Sequence, residues 1–143
     1  MSLDKKKVYI TQEDFARLSR IIALFRNRNR STRDEWQDRL IGLYDELGEA
    51  VIVPPERIPN DVITINSSFT LRYRDNGEEK TCTLVFPGVA RYEYNRISVL
   101  SQFGISLLGR TAGDTVYAET PEGGREVEII EILYQPEAER TYA

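Results

Sequence analysis

The spacing of apolar positions along the chain changes once. After a short apolar lead at Val8, Tyr9 and Ile10, the run Thr11-Gln12-Glu13-Asp14 gives a Thr-x-x-Asp start of the capping-box kind. Apolar residues then recur at Phe15, Leu18, Ile21, Ile22 and Phe25, the stripe of an amphipathic helix over 12–27. The next segment, RNRNRST, has no apolar residue. Thr32 and Glu35 give a second capping signal ahead of Trp36, Leu40, Leu43, Tyr44 and Leu47, which predicts a helix over 33–47 ending near Gly48. Two helices joined by so short a polar tip run antiparallel, and Trp36 fits their shared seam because it lies on the second stripe.

Residues 51–61, VIVPPERIPND, carry three of the six prolines, which stop a helix and favour extended backbone. Beyond this joint the period becomes two. Val62 to Ile65 is rich in β-branched residues, and Phe69, Leu71 and Tyr73 alternate with Thr70, Arg72 and Arg74. Asp75-Asn76-Gly77 predicts a hairpin turn into the strand TCTLVF. Further strands are predicted over Ile97–Leu100, Asp114–Glu119 and Arg125–Tyr134, with Pro121-Glu122-Gly123-Gly124 turning between the last two. QFGISLLG predicts about two turns of helix closed by Gly109. In the last strand Val127 and Ile129 share one parity while Ile130, Ile132 and Tyr134 share the other, so a bulge or a strand buried on both faces is expected near 129–130. The resulting architecture is α+β: a helical hairpin over 8–50, a proline-rich linker over 51–61, and a mostly antiparallel sheet with one short helix over 62–143.

Charge changes the picture at one place. The 143-residue chain has a formal charge of -4, which gives no global field favouring nucleic acid. Residues 1–50, however, carry ten Lys/Arg against nine Asp/Glu, whereas 51–143 carry nine against fourteen. Six arginines and no acid lie between Arg17 and Arg33, and Arg26, Arg28, Arg30 and Arg33 crowd the predicted tip. Some of that charge suits the dipole at the end of the first helix, but the density exceeds what capping needs and would attract phosphate or an acidic protein surface. Asp34 and Glu35 sit at the start of the second helix, where acids satisfy free backbone N–H groups; this fits them better than a pair of metal ligands.

Enzyme chemistry finds little to work with. The chain has no histidine, the commonest general base and zinc ligand. Its one cysteine, Cys82, reads as a small apolar residue of a strand. Neither GxxxxGK[ST] nor GxGxxG occurs. With no apolar run near bilayer length and no internal disulfide to make, a cytoplasmic protein without membrane contact is expected.

The segment RISVLSQFGISLLGRTAGDTVYAETPEGGREVEIIEILY resembles the C-terminal domain of the Gre transcript-cleavage factors, with Ser98, Ser101, Leu107, Leu108, Gly109, Gly113, Asp114 and Val116 in register with I-S-x-x-S-P-x-A-x-A-L-L-G-x-x-x-G-D-x-V. Gln102 stands where many members have proline. VPPERIPNDVITINSSFTLRYRDNGEEKTCTLVFP and the ending LYQPEA resemble more narrowly the Rnk family, the regulators of nucleoside diphosphate kinase. The resemblance implies an FKBP-like sheet domain that grips the rim of RNA polymerase's secondary channel, with Ser101, Gln102 and Phe103 in the gripping loop. It also implies a helical finger pointed inwards, its tip at Arg26, Arg28, Arg30, Arg33, Asp34 and Glu35. Each helix of about 15 residues reaches roughly 22 Å, well short of a cleavage-stimulating Gre finger. The expectation is therefore a monomeric, non-enzymatic regulator that binds RNA polymerase, needs no cofactor or metal, competes with Gre factors, and touches the complex's nucleic acid indirectly if at all. Control of nucleoside diphosphate kinase through another partner, prolyl isomerisation and weak support of transcript cleavage are the alternatives.

Overall fold

The computed structural model describes residues 8–28, 48 and 50–139, with side chains of residues 25–28 left aside. Tyr9–Thr11 forms β1 and leads directly into α1, Gln12–Arg28. The Thr11 hydroxyl accepts the Asp14 amide at 3.1 Å, so the helix starts where the capping signal puts it. Leu18 and Ile22 are buried, and Phe15 and Ile21 pack half-buried beside them, which bears out the first stripe. The expected second helix over 33–47, and with it the hairpin and Trp36, lies outside the described residues.

Val51–Val53 forms β2, which pairs in parallel with β1, Tyr9 opposite Val51 and Thr11 opposite Val53. Pro55–Arg57 then makes one 3₁₀ turn. The main sheet has five strands: β3 (Ser68–Tyr73), β4 (Glu79–Val85), β5 (Arg96–Ser98), β6 (Thr115–Thr120) and β7 (Gly123–Tyr134). Their order is β5-β4-β3-β7-β6, antiparallel throughout except for the parallel edge pair β4–β5. The helix α2, Gln102–Leu107, crosses between β5 and β6.

The predicted alternation in β3 holds: Phe69, Leu71 and Tyr73 are buried and their neighbours are not. Its turn closes at Asp75-Asn76-Gly77, with Gly77 at φ +74° and the Glu78 amide donating to the Asn76 side chain. The parity slip in β7 is a bulge. Thr70 pairs with Glu131 and Leu71 with Ile129, so Ile130 has no partner on β3, and a second slip skips Leu133. Val127 and Ile129 face the core before the bulge, and Ile132 packs against it afterwards. Cys82 is 2% exposed, and burial pushes its thiol up to about 12, so it is inert packing.

One expected strand is corrected. Val62–Ile65 joins no ladder; Val62 makes a single bridge to Thr111, and the chain turns at Asn66, φ +75°. The apolar residues of this stretch are buried all the same, because Ile63 exchanges backbone hydrogen bonds with Gly109 and Arg110. Periodicity registered their burial but not how their backbone is paired.

This turn also roots α1. Asp14 is only 2% exposed and accepts the Ile65 amide at 3.3 Å. Alongside, Thr64 shares hydrogen bonds with Ser67 and donates to Glu137, itself 6% exposed. Burial above all raises the Asp14 carboxyl, helped by the nearby Glu137 and Glu13 and opposed by the Ile65 amide and Arg17, to about 6. Among the described residues no helix is long and apolar enough to cross a membrane.

Asp14 gives a pH test. Between its ordinary 3.8 and about 6 the folded state keeps a proton that the unfolded chain has released. Stability from this site is therefore full at low pH and falls as pH rises through that window. Relative to Asp14→Asn, the wild type should lose roughly 2 kcal/mol in urea unfolding between about pH 4 and about pH 7. A difference that does not change with pH would contradict the burial of this carboxyl.

Candidate functional site

The sequence-predicted loop at Ser101, Gln102 and Phe103 does come together around a cavity. Ser101 caps α2: its hydroxyl accepts the Gly104 amide at 3.0 Å and donates to the Ser98 carbonyl at 2.7 Å. The Ser98 hydroxyl accepts the Leu100 amide at 3.1 Å. Two serines thus turn the chain from β5 into the helix by satisfying donors that would otherwise be free. With Gln102 at the first helical position, where many Gre factors have proline, these bonds supply the order of the turn. Gly104 lets the helix lie against β5, since a Cβ there would overlap the Ser98 carbonyl.

The cavity of about 400 Å³ lies beside the start of α2. Its apolar lining includes Ala90, Ile97, Phe103 and Pro121, and its polar lining includes Tyr92, Arg96, Gln102 and Glu119. Phe103 is 2% exposed, so it belongs to the core as well as to the lining, whereas Gln102, Arg96 and Glu119 are exposed. One cationic and one anionic side chain among neutral polar groups favour a mixed polar surface over a phosphate-rich one. Tyr92, Arg96 and Glu119 carry no sequence signal for this site: β4–β5 and β6–β7 bring them together across the sheet's end, and no local spacing encodes that approach.

The other predicted contacts cannot be placed beside this loop from the described side chains. Arg26 and Arg28 fall in the last turn of α1, where only the backbone is described. Arg30, Arg33, Asp34 and Glu35 lie outside the described residues. Among the described residues no three His, Cys, Asp or Glu side chains group closely enough to hold a metal ion.

The residues that carry the Gre resemblance mostly hold the fold. Leu107, Leu108 and Val116 are buried. Gly109 sits at φ +78° with its α-carbon packed against Val8 and Tyr9, a place where a side chain would collide. Gly113 is at φ +96°, and the Asp114 carboxylate accepts the Thr111 amide at 2.9 Å to close the turn into β6. Only Ser98 and Ser101 of this set also line the cavity.

A mixed sheet with this order, a serine-capped helix and the Gly-Asp turn define a transcription-factor domain of Gre type. The chain belongs to the transcription elongation factor GreA/GreB family, whose C-terminal region matches residues 58–134. Within it, similarity runs to the regulators of nucleoside diphosphate kinase: the Escherichia coli K12 protein is 38% identical over 101 residues, 70% of this chain and 74% of that one. Transcription elongation factor GreA of Beijerinckia indica is 29% identical over 99 residues, but the match covers only 63% of its length. Among solved structures, a transcription elongation factor GreA/GreB from Nitrosomonas europaea superposes with a TM-score of 0.69 at 32% identity, over 91% of this chain and all (100%) of that one.

Gly104→Ala should cost roughly 2 kcal/mol or more, because the added methyl pushes α2 off β5, and it should loosen the cavity. Ser101→Ala, which removes only the cap, should cost about 1 kcal/mol. Equal Tm values for the two variants would contradict the close approach.

Proposed function

We propose that this chain is a transcription regulator that binds RNA polymerase at the entrance of the secondary channel and competes with Gre cleavage factors without promoting cleavage. The observation that carries the reading is the cavity at Ser101, Gln102 and Phe103, since the Gre family resemblance assigns the grip on polymerase to this loop. Membership of the GreA/GreB family supports the partner, and 38% identity to a regulator of nucleoside diphosphate kinase supports a regulator over a cleavage factor.

The short finger expected from the sequence supports the absence of cleavage. The 17 residues of α1 amount to about 26 Å at 1.5 Å per residue. Among the described side chains of α1, burial ends at Ile22, and Leu24 is already 68% exposed. Leu18 and Ile22 root the first part of α1 in the domain core, and the finger expected from the sequence, about 15 residues per helix, falls short of a distant catalytic metal. Arg26, Arg28, Arg30 and Arg33 then serve as an electrostatic contact with an acidic or phosphate-bearing wall of the channel, and Asp34 and Glu35 begin the second helix of the finger. In this reading residues 8–50 are the finger, 51–61 the joint and 62–143 the FKBP-like grip of a monomer acting in the cytoplasm.

A second reading has its own support in the name of the relative: control of nucleoside diphosphate kinase through a direct protein partner. Equilibrium binding to core polymerase, then displacement of a Gre factor, separates the two.

Reversing charge at Arg28 and Arg30 should weaken polymerase binding by roughly tenfold at low salt and progressively less as salt screens the contact. Stalled elongation complexes given the wild-type protein should keep their nascent RNA uncut. Indifference to core polymerase, or transcript cutting above background, would remove this proposal.

A further inference from the structure

One connected set of polar side chains joins three separate turns at the cavity end of the sheet. Arg125, on β7, lies with its guanidinium 3.6 Å from the centre of the Tyr73 ring, and its side chain is only 14% exposed. It grips Asp75 of the β3–β4 turn with two hydrogen bonds of 2.9 Å. It also reaches Glu122 of the β6–β7 turn at 3.3 Å. Glu122 in turn accepts the Tyr92 hydroxyl, at 2.8 Å and 3.0 Å to its two oxygens. Burial first, and then the bond to the Glu122 carboxylate, keep the Tyr92 phenol protonated well above its ordinary range. The Arg125 guanidinium beside Asp75 holds that carboxyl below its usual value.

The placement matters because Tyr92 is on one wall of the cavity while Glu119, Thr120 and Pro121, the residues leading into Glu122, are on another. The Tyr92–Glu122 bond therefore ties one wall of the cavity to the other. Glu122 is itself fixed from behind: its amide donates to the Thr120 hydroxyl at 3.1 Å, which donates to the Gly123 carbonyl at 2.9 Å. Arg125 fixes it from the side, held flat against Tyr73, which is fully buried. A lone exposed tyrosine–glutamate bond would form and break freely; one whose acceptor is held by a stacked, bidentate arginine is pre-organised.

We propose that Tyr92 and Glu122, oriented by Arg125, are positioning residues that set the width of the cavity for the surface it grips. This rests on the polymerase-binding reading given above, and it adds that the cavity is kept open in its binding shape before the partner arrives. Neither side chain needs to touch the partner for the strut to work, because its effect is to fix Glu119, Thr120 and Pro121 relative to the start of α2.

The full-length chain, its Tyr92→Phe, Glu122→Ala and Glu122→Gln variants and the Tyr92→Phe/Glu122→Ala double variant test this by two readouts: affinity for core RNA polymerase, and deuterium uptake of residues 119–124 without polymerase. Tyr92→Phe removes one oxygen and keeps the half-buried ring that packs against the core, so the fold should survive. Tyr92→Phe and Glu122→Ala should each weaken binding by roughly fivefold to tenfold, the scale of one ordinary hydrogen bond. The double variant should be no weaker than the worse single, since both changes remove the same bond. Glu122→Gln keeps an acceptor for the Tyr92 hydroxyl and should recover most of the affinity, while uptake at 119–124 should rise in Tyr92→Phe. Additive losses would mean two direct contacts and overturn the strut, as would unchanged uptake, or raised uptake with unchanged binding. A wild type that binds polymerase no better than its variants refutes this inference alone; a wild type that ignores polymerase takes the functional reading down with it.

Discussion

Strand β7 pairs along both edges, with β3 on one side and β6 on the other, and the rest of the domain is arranged by that double pairing. Twelve residues in one strand must keep apolar side chains inward while following a twisting sheet. The bulge at Ile130 resolves the conflict: it leaves one residue out of the β3 ladder and returns Ile132 to the core side. Upstream of the bulge, β7 carries Arg125 into position over Tyr73; downstream it delivers Gln135, whose side chain donates to the Pro59 and Val62 carbonyls at 2.8 Å and pins the turn on which α1 is rooted. One strand thus organises both the cavity end and the helix end of the domain.

The helix end shows how α1 is mounted on the sheet. Ile10, Leu18 and Ile22 share a continuous core with Phe69, Leu84 and Ile129, so α1 grows from the sheet's own interior. Beneath it, Asp14, Thr64, Ser67 and Glu137 form a buried polar group whose hydrogen bonds have little tolerance for displacement. Such a root fixes the start of the helix relative to the sheet.

The chemistry of the cavity end is positional. Its polar groups are a tyrosine, an arginine, a glutamine and a glutamate on separate elements, with apolar residues between them. That mixture suits recognition of a protein surface, where shape and a few fixed polar groups matter more than net charge. In the sequence the basic residues Arg26, Arg28, Arg30 and Arg33 belong to a different segment from the residues that line the cavity.

Much of this was legible in the residues themselves. Alternation at Phe69, Leu71 and Tyr73, the Asp75-Asn76-Gly77 turn, the cap at Thr11 and the parity slip near Ile130 are local signals, and local backbone physics enforces each of them. The Gre-like motif was legible too, but Leu107, Leu108, Gly109, Gly113 and Asp114 turn out to specify how the chain packs. Tertiary structure alone decided the pairing of β1 with β2, the conversion of Val62–Ile65 from an expected strand into a buried turn, and the meeting of Asp14 with Glu137. It alone decided the chain of contacts from Asp75 through Arg125 and Glu122 to Tyr92. Those partners stand up to 123 positions apart, as Asp14 and Glu137 do. A hydrogen bond needs its two atoms within about 3 Å, and along the chain no pattern records which distant turns the sheet will bring that close.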